Sequence, residues 1–529
     1  MDGINNSPSL LYPDPSRREG SVKRAKEAAR DLGLDSFFDM KSADLSEFFT
    51  SDAETLAYRA EVFADIEKVP ESLEALRRAV PIMSDITDLR RLGADAGTAE
   101  EYLYSVTEVE LYVSLLELLS SRLLPLEEKL SSRGMKEICR RVRELSSGEG
   151  YRDITERLSE ITSRVREIKS VTLGVNLDGR LLPESAGLIS VNGEKFSSGQ
   201  KIEKILKLDF KESDHAFIAP VTKSAKLFSD TDAEAFNKSV LSALGAVYKS
   251  SFKTWRRAVA SYVLENTDFL LAALPEIEFL TKAEEYLGRL KERGVALSFP
   301  KILPEGRTLR AKGLANPVIA LATEGEIVPN DVTFDENAGA YILTGPNRGG
   351  KSVFTSSVGL ACLMAQLGMP VASESFEFSV TDGVFCHFPS GDDTVERGRL
   401  GEECERLSEI VDEATSQSVV LLDESLSSTG SLEASEIAKD VLAGLASRGV
   451  RVIFSTHLHT LAANTAAINE MSLSRGGVKV DNLVAEIADG VRSFRIVRRA
   501  PEGKSYASDV AEKYGLTFEK IAKKAVPHE

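Results

Sequence analysis

The sequence is expected to fold as α plus α/β: an N-terminal region of long helices with a small β-rich insert, then a C-terminal domain on a parallel sheet. Three observations lead there. Between about 21 and 170, apolar residues recur at steps of three and four, the period of a helix with one buried face. From about 330 to 499, short continuous apolar runs alternate with helical stretches, as in parallel strands covered on both sides. Between these blocks, near 171–225, the period shortens toward two and Asp178-Gly179 and Asn192-Gly193 supply turns.

Taken in order, residues 1–20 are rich in Ser, Pro and Asn and are expected to form a flexible N-terminal arm. Residues 21–305 form the helical domain. Its stripes include Leu103, Val106, Val109, Val113 and Leu116, and again Ile154, Leu158, Ile161, Val165 and Ile168. Strand character appears at 171–177 and 188–191, and helical periodicity returns from about 232 to 293. The α/β domain is expected over 306–515, closing with a hairpin of 484–487 and 491–497 around Asp489-Gly490. A short helix or tail, 516–529, follows.

Composition narrows the function classes. With 529 residues, 42% apolar and 28% charged, the chain has enough apolar material for sizeable cores. A disordered tail protein, a collagen-like fibre and a disulfide scaffold are excluded. The formal net charge of −17 means that any nucleic-acid contact must come from a local basic patch. Cys139, Cys362, Cys386 and Cys404 lie far apart and read as reduced thiols. No run of about 20 apolar residues is present, and the first residues lack an apolar core like that of a signal peptide. A cytoplasmic protein without membrane contact is therefore expected.

The chemistry concentrates at three strand ends. The apolar run 341–343 leads through Thr344 into Gly345-Pro346-Asn347-Arg348-Gly349-Gly350-Lys351-Ser352, which satisfies GxxxxGK(S/T), and an apolar helical stretch follows from Val353. Glycines let the backbone wrap phosphate oxygens at a helix start, Lys351 supplies a cation for the β- and γ-phosphates, and Ser352 supplies a Mg²⁺ ligand. The continuous apolar strand 418–422 ends in Asp423-Glu424. Asp423 is then a second Mg²⁺ ligand, through water, and Glu424 the general base for the attacking water. The strand 450–455 ends in Thr456-His457, placing His457 to sense the γ-phosphate, whereas His459 reads as structural. Val328 lies close enough in sequence to pack against the base, with strand core as the alternative.

These motifs resemble those of the MutS ATPases of DNA mismatch repair and their paralogues. TGPNRGGKS at 344–352 is similar to that family's phosphate loop, with Arg348 where methionine is usual. Val328-Pro329-Asn330-Asp331 resembles the strand entry before the loop. Asp392-Asp393 with Glu396-Arg397-Gly398-Arg399 is similar to the signature loop, and the LLDES, STHLHTL and Gly503-Lys504-Ser505-Tyr506 segments also match. The similarity covers about 320–515; residues 46–305 share only the style of the family's helical core and lever.

The resemblance implies an ABC-type P-loop NTPase domain, ATP and Mg²⁺ as cofactors, and a homodimer with composite ATP sites. Long helices would carry nucleotide state to a clamp on DNA or other structured nucleic acid. Departures shape the expectation further. Leu400-Gly401 replaces the usual Ser-Thr, which points to a slow, switch-like ATPase. The chain is too short for the family's mismatch-reading and connector domains, and no nuclease-like extension fits after about 515. Branched or unusual structures are thus expected as ligands rather than single mismatches. The alternative is an ATP-gated clamp on ribosomes, RNA or a protein partner. Lys249, Lys253, Arg256 and Arg257, with Tyr248 and Trp255, form a basic-aromatic cluster suited to phosphate contact, with a solvated helix face as the plainer reading. Arg140, Arg141 and Arg143 carry the same two readings.

Overall fold

A computed structural model describes residues 9–14, 22–93, 98–156, 158, 170–180, 183–192, 194, 268–303, 306–335, 338–388, 399–488, 491–500 and 514–524. Its strands are β1 (Ser170–Leu177), β2 (Pro183–Asn192), β3 (Lys301–Leu303), β4 (Leu309–Leu314), β5 (Asn330–Phe334), β6 (Ala340–Thr344), β7 (Ser375–Ser379), β8 (Val384–His387), β9 (Val419–Asp423), β10 (Arg451–Ser455), β11 (Val480–Ala488) and β12 (Val491–Arg498). Its helices are α1 (Ala25–Asp31), α2 (Ala53–Lys68), α3 (Pro70–Gly93), α4 (Thr98–Arg122), α5 (Arg133–Ser147), α6 (Leu274–Glu292), α7 (Pro317–Ala322), α8 (Lys351–Gln366), α9 (Arg399–Glu413), α10 (Ser431–Ser447), α11 (His459–Ala463), α12 (Thr465–Leu473) and α13 (Phe518–Lys524).

The chain divides into two compact units, Met1–Leu73 with Lys129–Ile138 and Pro275–Glu529, and Glu74–Glu128 with Cys139–Leu274. The division is not the contiguous one expected at 305. Parts of the helical region pack with the C-terminal unit because their apolar faces find partners there.

In the first unit, β6, β9 and β10 are buried at every position and run parallel, with Val452 opposite Ala340 and Arg451 opposite Val419. Hidden on both faces, they have no reason to alternate polar and apolar residues. The full order is β12-β11-β6-β10-β9-β8. The expected final hairpin is present as antiparallel β11 and β12, with a register shift between Ala485 and Ile487. A four-stranded sheet, β3-β7-β4-β5, lies in the same unit. On one face of the central sheet, Val420, Leu422, Val452 and Phe454 join a core with Ala438, Leu442 and Leu461. Toward the other face, α8 brings Gly359 against Leu421; a Cβ there would lie 2.6 Å from Leu421 Cδ1 and 2.7 Å from Leu32 Cδ1.

Residues 9–12, within the expected flexible arm, are buried instead. Leu10, Leu11 and Tyr12 supply apolar surface, and the backbone finds partners: Leu11 N–H donates to Glu276 Oε2 (2.8 Å), Tyr58 Oη to Ser9 O (2.8 Å) and Arg59 Nε to Leu11 O (3.3 Å). The fully buried Arg59 also donates to Phe48 O, and to Leu367 O at 3.4 Å. Nearby, Phe48 stacks on Phe279 with ring centroids 4.5 Å apart, and Phe38 and Phe63 flank the same ring.

In the second unit, Val109, Val113 and Leu116 of the expected stripe are buried, as are Ile154 and Leu158. The side chains of Leu103 and Val106, and Ile161, Val165 and Ile168, lie outside the described residues. The strand insert is an antiparallel β1–β2 hairpin, and Asp178 Oδ1 closes its turn by accepting from Arg180 N–H at 2.8 Å. The four cysteines form no disulfide, and no described helix is long and apolar enough to cross a membrane.

Alanine at a mid-helix glycine ordinarily gains about 1 kcal/mol of helix propensity, while overpacking costs about 1–3 kcal/mol. With two leucine methyls inside contact distance, the second effect wins at Gly359. Gly359→Ala is expected to lower the thermal midpoint. In a Leu32→Ala background the loss should be smaller but still present, as read by calorimetry, because Leu421 Cδ1 would still lie 2.6 Å from the new methyl.

Candidate functional site

The loop after β6 turns because two glycines take backbone that other residues rarely adopt: Gly345 at φ 142° and Gly350 at φ 93°. Gly350 caps α8 with no side-chain hydrogen bond, so the first N–H groups of the helix have no internal acceptor. They form an anion-binding end. A Cβ on Gly345 would sit 2.6 Å from Ala485 Cβ, which holds the loop close over β11. Arg348 also has left-handed backbone, φ 61°, and its side chain is exposed.

Lys351 is buried and donates Nζ to Gly345 O (3.1 Å) and Pro346 O (3.3 Å), which folds it along the loop. Burial pushes its pKa below the usual lysine value, against the raising charges of Glu424 and Asp423. Ser352 is exposed at the start of α8. Asp423 ends β9 opposite Ser455, is buried, and its Oδ1 has no hydrogen-bond partner. A buried carboxylate oxygen left unpaired beside a lysine and a helix start suits a hard cation. The donor set therefore fits Mg²⁺. Glu424 follows at φ 48°, held by its N–H to Ser455 O at 2.8 Å.

A cavity of about 410 Å³ opens beside the loop; its walls include the polar Lys351, Ser352 and Glu424 and the apolar Ile319, Val328 and Phe494. Val328 is half-buried and precedes β5, so it belongs to the cavity and not to strand core. Of the loop, Arg348 and Gly350 to Val353 also reach this cavity. His457 is exposed beyond the end of β10 and is not among the cavity walls, whereas its neighbour Thr456 donates its N–H to Leu343 O (2.9 Å). Lys249, Lys253, Arg256 and Arg257 lie outside the described residues, as does most of the signature loop. Arg140 and Arg141 pair with Glu144, and Arg143 pairs with Glu127, so these three face acidic partners.

Three contributors were not apparent in the sequence. Phe494 is about half exposed at φ 58°, its carbonyl held by Asn330 Nδ2 at 3.1 Å. Asn316 caps α7 by accepting from Ile319 N–H (2.9 Å) and donates to Val353 O (3.1 Å) and Ser356 Oγ (2.9 Å), tying α7 to the phosphate helix. His387 ends β8, one strand from Asp423. Its signal was an apolar run ending in a polar residue, the same pattern as at the other strand ends.

This arrangement defines a P-loop domain of the ABC ATPase type. A model described as MutS domain V matches residues 341–528, and one described as MutS2 N-terminal domain matches residues 51–295. Among curated relatives, the chain is 30% identical over 237 residues to the DNA mismatch repair protein MutS of Chlorobium chlorochromatii, covering 44% of this chain and 26% of that one. It is 35% identical over 195 residues to that of Desulforamulus reducens (36% and 22%) and 32% over 234 residues to that of Thermus aquaticus (43% and 27%). The alignments thus span about a quarter of those relatives. The chain belongs to the MutS family.

Asn316→Ala is expected to cost about 1 kcal/mol through the lost cap. Asn316→Asp keeps the acceptor but not the two donated bonds to α8, and should recover only part of the thermal midpoint.

Proposed function

We propose that this chain binds Mg²⁺-ATP in the cavity beside the phosphate loop, hydrolyses it to ADP and phosphate, and uses the nucleotide state to control a grip on DNA. The observation that carries the reading is the unpaired, buried Asp423 carboxylate beside Lys351 and the uncapped start of α8. The N–H groups of 350–353 cradle phosphate oxygens, and Lys351 leaves the loop carbonyls to meet the β- and γ-phosphates. Ser352 and Asp423 would hold Mg²⁺, which neutralises charge developing on the phosphates. Glu424 orients and deprotonates the attacking water. The base lies among the apolar Ile319, Val328 and Phe494. His457, exposed beside this edge, meets the γ-phosphate only on closure.

Relatives named as DNA mismatch repair proteins support DNA as the ligand; a homodimer as the working form, with the helical half as lever, belongs to the same proposal. Leu400-Gly401 at the start of α9 leaves no hydroxyl for a partner's γ-phosphate, in keeping with slow turnover. Lys249, Lys253, Arg256 and Arg257 are the candidates for phosphate contact. A second reading, a clamp on ribosomes, RNA or a protein, is favoured by the acidic partners of Arg140, Arg141 and Arg143 and by the net charge of −17.

Calorimetry is expected to show Mg²⁺-ATP binding that Lys351→Ala abolishes. Glu424→Gln should retain binding and lose turnover by about 100-fold or more; equal rates would remove Glu424 from the chemistry.

Copurification with and without nuclease separates the two ligands. DNA-dependent partners should vanish on DNase treatment, while retention after both nucleases would establish the protein-clamp reading.

A further inference from the structure

The strand beside β9 ends in a histidine that the ATP-binding motifs do not include. β8 and β9 are parallel, and His387 stands opposite Leu422, the residue before Asp423. Its Nδ1 lies 2.7 Å from Ser425 Oγ, and that hydroxyl also reaches His387 O at 3.4 Å. Both side chains are buried, at 3% and 4% exposure. Burial, with the Arg406 charge adding to it, pushes the His387 pKa down to about 4, so the ring is neutral at neutral pH.

Ser425 sits between two non-glycine residues in left-handed backbone, Glu424 at φ 48° and Leu426 at φ 65°. Such backbone persists only where the surroundings over-determine it, and it clusters where a side chain must be aimed. Three holds are visible. The Glu424 N–H is bonded to Ser455 O, Leu426 is fully buried in the sheet core, and Ser425 between them is tied to His387. The outcome of this geometry is a Glu424 side chain that lines the nucleotide cavity.

We propose that His387 is a positioning residue for hydrolysis: through Ser425 it holds the left-handed turn that keeps the Glu424 carboxylate aimed at the water-attack position. This rests on the reading of Glu424 as general base. Neither His387 nor Ser425 lines the cavity, so their loss acts on turnover and leaves nucleotide affinity intact. A displacement of about 1 Å at a catalytic group can cost up to about 100-fold in rate.

The test measures Mg²⁺-ATP affinity by calorimetry and steady-state hydrolysis for His387→Ala, His387→Asn, His387→Gln and Ser425→Ala in the full chain. The expected result is a kcat loss of about 10- to 100-fold for His387→Ala and Ser425→Ala, with Kd for Mg²⁺-ATP within about twofold of the parent. Asparagine places its amide nitrogen near the Nδ1 position and should restore most of the rate; glutamine, which mimics Nε2, should not. The His387→Ala/Ser425→Ala double variant should lose no more than either single one, since both break the same link. In a Glu424→Gln background, His387→Ala should change nothing further.

Equal rates in His387→Asn and His387→Ala would reduce the pair to packing and overturn the proposal. So would a raised Kd with unchanged kcat. If His387→Ala fails to fold, as judged by circular dichroism, Ser425→Ala carries the same comparison. Failure of the Glu424 reading is separately visible, as undiminished hydrolysis by Glu424→Gln in otherwise parental protein.

Discussion

The first unit depends on three adjacent strands that exclude water along their whole length. In β6, β9 and β10 every residue is buried, and each leucine, isoleucine or valine so placed contributes about 1.5–3 kcal/mol relative to exposure. Apart from Arg451, buried at the opening of β10, and the Tyr341 hydroxyl, which reaches Thr333 O, such strands hold apolar side chains until they stop. Polar groups therefore gather at one edge: Thr344 at the end of β6, Asp423 at the end of β9 and Ser455 at the end of β10. The parallel register puts them level, with Asp423 opposite Ser455. The chemistry is thus a by-product of burial, since the same constraint that builds the core decides where charge is tolerated.

Charge at that edge is held in tension. Lys351 lies deep enough for burial to weaken its protonation, while the carboxylates of Glu424 and Asp423 support it. Asp423 keeps one oxygen unpaired in a dry setting, which is costly for a carboxylate lacking a cation or donor. The turn beyond it runs through two left-handed residues. Backbone of this kind costs about 1–3 kcal/mol per residue, and here it follows directly on Asp423 and flanks Ser425.

How far the sequence could be read follows from the range of the interactions involved. The strands around 341, 419 and 451, the glycine loop and the final hairpin are written locally, in apolar runs and turn residues, and each lies where expected. Val328 could be narrowed to two roles; it lines the cavity just before β5. Phe494 was hidden because its positive φ arises from the register shift between β11 and β12 and from Asn330, 164 residues earlier. His387 was hidden because its meaning depends on Ser425, 38 residues on, being brought beside it by strand pairing. The buried segment 9–12 looked like an arm because Ser, Pro and Asn surround it; its anchors, Tyr58, Arg59 and Glu276, are remote in the chain.

Those remote anchors bear on how the molecule comes to be made. The first unit is assembled from residues at both ends of the chain, with Glu74–Glu128 and Cys139–Leu274 threaded out as a separate body between them. During synthesis Leu10, Leu11 and Arg59 leave the ribosome long before Glu276 and Leu367 exist. Closing such long loops carries an entropic cost before any contact forms, and domains normally fold as they emerge. The bonds from Leu11 to Glu276 and from Arg59 to Leu367 span 265 and 308 residues, so the N-terminal segment reaches its final partners only after the intervening chain has been made.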